Sequence, residues 1–183
     1  MPQTHPIVVL SIWLAVAGWG IVMFGRCRGR KLPGALAIWV TGWFAFVVHV
    51  ISAFATSYRW SHGVALAETA RQTRDLTGFD SGIGLWMNYL FGAIWVVDAV
   101  RWAATGEAVA TGRWKWPHRS MHLFLAFMVF NGTVVFASGA TRVFGILIFV
   151  FLGAAWFRAR TRPSCVPDPT LSEEKDRLIP PSS

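Results

Sequence analysis

His118 and His122 stand four residues apart, so a helix would put both imidazoles on one face. Pro117, just before them, suits the first turn of such a helix. Asp98 and Arg101 stand three apart in a separate, largely apolar run. An acid, a guanidinium and two imidazoles at one depth can form a proton or ion relay, or half of a metal site. They can equally form a polar clamp that only holds two helices together. An unpaired carboxylate at that depth costs several kcal/mol or takes up a proton. Asp98 is therefore expected to pair with Arg101 or His122.

A second polar set lies in other apolar runs. Gly42, Ala45, His49, Ser52 and Thr56 recur at helical spacing and form one stripe of small and polar residues. His49 is expected to face the interior, within reach of Asn88. Tyr89 and Asn131 sit at similar depth, and His62 lies in the loop above. Two readings stand for His49, Ser52, His62, Asn88, Tyr89 and Asn131: an interhelical hydrogen-bond cluster, or a small-molecule pocket under a lid.

Five apolar segments must position these residues: 7–25, 33–57, 83–105, 120–137 and 139–157. About 20 residues of helix cross a hydrocarbon core. The last segment is short unless the residues from Gly139 to Arg142 extend it. With mean hydropathy +0.46 and 14% charged residues lying almost wholly between the segments, the fold class is an all-α, polytopic bundle of five transmembrane helices. A soluble helical protein does not fit.

The loop before the third segment has helical composition over 61–76. Ser61 suits its cap, and Glu68–Arg71 and Arg71–Asp75 have ion-pair spacings. It reads as a short interfacial helix. The tail, 163–183, is rich in Pro and Ser and reads as disordered. Recruitment of a partner is one role open to it, and a short helix around 172–178 fits its composition.

Basic residues cluster as Arg26, Arg28, Arg30 and Lys31, as Arg113, Lys115 and Arg119, and as Arg158, Arg160 and Arg162. Five crossings put all three clusters on one side, which the positive-inside rule makes cytoplasmic. The N-terminus is then outside and the C-terminus cytoplasmic, in a multi-pass cell-membrane protein. The first segment lacks a basic n-region and reads as retained rather than cleaved. The net charge of +8 follows from these helix-end runs and from anionic headgroups, not from nucleic-acid binding. The expected partners are the lipid bilayer and other membrane proteins. Cys27 and Cys165 fall on the cytoplasmic side, where a disulfide is not expected. Tryptophans at the segment ends, Trp60, Trp86, Trp102, Trp114, Trp116 and Trp156, read as interfacial belts. Trp13, Trp19, Trp43 and Trp95 read as packing.

Several chemistries are excluded. His49 and His122 lie near opposite membrane faces, about 20 Å apart by helix rise, and cannot share one haem. Five histidines are too few for a membrane di-iron oxygenase. The chain has no Walker loop, GxSxG, HExxH or CxxC motif and no internal repeat. No cofactor and no catalytic residue is assigned. Two classes remain: a non-enzymatic accessory subunit or small-molecule binder, and a redox or metal- or haem-binding subunit using His49 or His118 and His122. The reading leans to the first.

Overall fold

An apolar run placed in hydrocarbon must satisfy every backbone N–H and C=O within its own segment, which a helix does. The computed structural model describes residues 5–106 and 115–161. The tail therefore lies outside the described residues, as do Cys165, Arg113, Trp114 and Arg162.

Helix α1 spans Pro6–Cys27, with proline in its first turn, and α2 spans Ala35–Thr56. Helix α3 is His62–Thr77, one residue from the expected bounds. Ser61 caps it, its Oγ accepting from the Val64 N–H at 3.3 Å. Gly78 ends it in the left-handed region at φ +80°, donating its N–H to the Arg74 carbonyl. Helix α4 is Ile83–Thr105. Helix α5, Lys115–Phe130, runs into a π-helical turn, Asn131–Val135, and α6 is Gly139–Arg160.

Helices α1, α2, α4 and α6 are each long and apolar enough to cross a membrane. That corrects the sequence reading in one respect. The last segment is a full 22-residue helix, while the fourth, 120–137, is divided between α5 and the π turn. The turn is visible in the bond from the Phe136 N–H to the Asn131 carbonyl. A wide turn frees carbonyls, and side chains take them up. Asn131 donates to Phe127 O, Thr133 to Val129 O, and Arg142 to both Ala137 O and Val135 O.

Helix α1 packs against α2 and α6, α2 against α4, α4 against α5, and α6 against the π turn. Trp13 reaches Thr141 near the start of α6, and Trp19 meets Phe149 further along, so α1 and α6 run the same way. Gly18 and Gly42 let α1 and α2 approach closely: a Cβ on Gly18 would lie 3.2 Å from Gly42 Cα. The stripe that carries Gly42 therefore faces α1, not only α4. The largest buried side chains are Trp19, Trp39, Trp95 and Leu125. Many apolar residues point outward, among them Leu10, Leu14, Phe44, Val97, Leu123 and Phe151. Such an inside-out surface suits lipid and not water.

Tryptophans at the ends divide in two. Trp60, Trp86, Trp116 and Trp156 are exposed, as a belt requires, but Trp102 is buried. The expectation for Trp102 is corrected: an arginine lies over its ring.

Candidate charge cluster at the basic end

The end where α1 and α4 stop and α5 starts carries Arg26, Arg28, Arg101 and Arg119, and is called the basic end here. Asp98 lies about two turns inside the end of α4 and is fully buried, at 0% exposure. Its Oδ1 accepts from Arg101 Nη2 at 2.8 Å. The pairing expected from the i,i+3 spacing is present. His118 Nδ1 lies 3.8 Å from Oδ1, and His122 Nε2 lies 3.8 Å from Oδ2. Those two separations are too long for hydrogen bonds. The imidazoles stand edge to face, ring centroids 4.4 Å apart, because the i,i+4 spacing on α5 puts both on the face toward α4.

Arg26 completes the cluster from α1. Its Nη1 lies 2.9 Å from His122 Nε2, and its guanidinium rests 4.5 Å from the Trp102 ring centroid. A guanidinium only donates, so His122 Nε2 accepts and the ring carries its proton on Nδ1. Trp39 of α2 packs beside both His122 and Arg26. The sequence reading missed Arg26, counting it among the helix-end charges that set topology. The available signal was its place: it is the first of its basic run and directly adjoins the apolar segment.

Three buried polar atoms of the cluster have no hydrogen-bond partner among the described residues: Asp98 Oδ2, Arg101 Nε and His122 Nδ1. Asp98, His118 and His122 each offer one ligand atom, and those atoms all lie within 4.8 Å of one another. A carboxylate with two imidazoles can hold a divalent transition-metal ion.

The other expected group is not assembled. His49 Nδ1 donates to the Val8 carbonyl of α1 at 2.9 Å. Its partner is thus the preceding helix, not Asn88, which is exposed. The stripe turns His49 to the side where α1 approaches, and there the Val8 carbonyl, which also accepts from Ser11 Oγ at 3.2 Å, takes the imidazole as a further donor. Ser52 is buried on the same stripe, its carbonyl accepting from Thr56 Oγ1. Asn131 is engaged within its own helix. His62 is exposed and packs against the rings of Trp86 and Tyr89. Of the six, Asn88 and Tyr89 line one groove together, beside Trp43 and Phe46. Comparison of the chain with family models, curated proteins and solved structures finds no match.

Proposed function

We propose that the chain is a five-crossing membrane protein, N-terminus outside and C-terminus cytoplasmic, that binds a small ion at the basic-end cluster without catalysing a reaction. The observation that supports this reading is the way Asp98 is held. A clamp would join helices with short bonds and leave no buried polar atom unpaired. Here the short ion pair Asp98–Arg101 lies within α4, and the bonds between helices run from Arg26 to His122 at 2.9 Å and from Arg101 to His118 at 3.4 Å, so none of them ties Asp98 itself to another helix. The separations from Asp98 to α5 are 3.8 Å, and Oδ2 has no hydrogen-bond partner among the described residues. Charged and imidazole groups of α1, α4 and α5 converge without saturating one another. That leaves the Asp98 carboxylate receptive to a further ligand.

For five crossings, α5 and its π turn together supply 21 residues, Lys115 to Val135, which is about the length a bilayer needs. Reporter fusions at Thr4 and Ser183 test the orientation: opposite sides are expected, and the same side would remove the five-crossing reading.

Ion binding is tested by thermal unfolding of the purified full chain in detergent, screened against divalent cations, alkali cations, phosphate and chloride. At least one should raise the wild-type melting temperature and leave that of Asp98→Asn unmoved, because a ligand that binds the folded state stabilises it by mass action. If none shifts the wild type, the cluster is a structural element alone.

A further inference from the structure

The reading above leaves the ion open, and the ligand atoms narrow it. We infer that Asp98, His118 and His122 form a site for one divalent first-row transition-metal ion, with Arg26 and Arg101 as resident counter-ions that leave when the metal enters. This rests on the ion-binding reading of the same cluster.

Geometry comes first. Metal–ligand bonds of about 2.0–2.1 Å set tetrahedral ligand atoms about 3.3 Å apart. Here the carboxylate oxygens lie 3.8 Å from each imidazole nitrogen, and no pair of ligand atoms exceeds 4.8 Å. Closing the gap takes rotamer adjustments of an ångström or so, with no helix displaced. The donors come from two helices, and both histidines are on a single face of α5. Two imidazoles and a carboxylate favour zinc, iron or cobalt over magnesium or calcium, which prefer all-oxygen sites. Three protein ligands also leave coordination positions open.

The second observation is Asp98 itself, 0% exposed, with Oδ2 accepting no hydrogen bond among the described residues and facing His122 Nε2. A buried carboxylate oxygen left in that state wants a cation.

Charge decides how loading works. Arg26 and Arg101 both lie against the ligand atoms, and a divalent ion would bring two further positive charges beside theirs. Two like charges about 4 Å apart repel by about 4 kcal/mol at the effective dielectric of a protein site. In addition, Arg26 occupies the very lone pair on His122 Nε2 that would bind metal, and Arg101 occupies Asp98 Oδ1. The arginines must therefore withdraw. Both can: Arg26 is one residue from the end of α1 and Arg101 four from the end of α4, and long basic side chains reach the headgroup layer from such positions. The cluster is thus a metal site closed by its own guanidiniums.

This scheme predicts an effect of opposite sign from any folding defect. The full chain, purified through a histidine-free tag and stripped with chelator, is titrated with Co²⁺ and followed by its visible d–d absorption and by elemental analysis. The wild type should take up one cobalt per chain. His122→Gln and Asp98→Asn should lose the band, and His118→Gln should bind at least about tenfold more weakly. Arg26→Gln should bind at least about tenfold more tightly, a change of about 1.4 kcal/mol. A misfolded variant can only bind less, so tighter binding cannot be a folding artefact. The inference is overturned if the wild type takes up no stoichiometric cobalt. It is equally overturned if His122→Gln and Asp98→Asn bind as the wild type does, or if Arg26→Gln does not bind more tightly. Stabilisation by phosphate or chloride with no cobalt uptake would sink the metal site and leave the ion-binding reading standing.

Discussion

Gly18→Ala adds one methyl group where α1 and α2 touch, and it should destabilise the bundle. The new Cβ would lie 3.2 Å from Gly42 Cα and 3.2 Å from the Ile38 carbonyl oxygen. Carbon contacts are best at about 3.5–4.0 Å, so α1 must retreat by a few tenths of an ångström. Both obstructing atoms are backbone, and no side chain can swing away to absorb the change. Overpacking of this kind costs about 1–3 kcal/mol. Alanine recovers up to about 1 kcal/mol over glycine in helix propensity, so a mid-range overpacking cost of about 2 kcal/mol leaves a net loss of about 1 kcal/mol. Gly153 is the control. A Cβ there meets nothing within 4 Å, so Gly153→Ala should keep the propensity gain and stabilise by about 0.5–1 kcal/mol. Reversible unfolding in mixed detergent micelles, followed by circular dichroism, measures both. A Gly18→Ala protein as stable as wild type, or a Gly153→Ala protein less stable, would refute the close-approach argument. Gly18 is eight residues from Arg26, about 12 Å along α1, so the same retreat should loosen the contact between Arg26 and His122.

Asp98→Leu should lower stability in detergent by about 1–3 kcal/mol, less than a fully buried pair would lose because Arg101 is 30% exposed; an unchanged unfolding midpoint would count against the cluster being formed. Ser61→Ala should cost about 1 kcal/mol of local stability by removing the cap of α3, read as faster amide exchange confined to that helix. The Arg71 guanidinium hydrogen-bonded to Glu68 holds its carboxyl below the usual value of 4.5. A depressed carboxylate stabilises above its unfolded pKa and loses that effect as pH falls through the folded one. Exchange protection of α3 should therefore hold from neutral pH down to about 5 and weaken only in more acidic solution, with Glu68→Gln removing that dependence.

What could be read from the sequence was local. The bounds of α3, its cap, and the pairs Glu68–Arg71, Arg71–Asp75 and Asp98–Arg101 all follow from spacing within one helix. The meeting of Asp98 with His118 and His122 was legible too, because alternating chain direction brings the end of one segment beside the start of the next. Two things were hidden. Which neighbour the stripe with His49 packs against depends on the arrangement of helices, and a stripe of small residues fits either side. Arg26 looked like its basic neighbours because charge patterning reports depth along the membrane normal and not direction around the helix. The π turn left only Asn131 and Gly132 as hints, and neither residue type implies one.

The π turn has a consequence for how the chain is made. Its loosened carbonyls are served partly by Arg142, which belongs to α6. Thr133 is buried directly against Gly145, also of α6, where a Cβ would have no room. Until α6 has been synthesised, the far end of α5 would face lipid with polar backbone uncovered, at several kcal/mol for each unsatisfied group. On the five-crossing reading proposed above, the last two hydrophobic elements would form a single unit of insertion. They should leave the translocation machinery together as a helical hairpin, and a ribosome stalled before Gly139 should hold α5 there, not yet released into the bilayer.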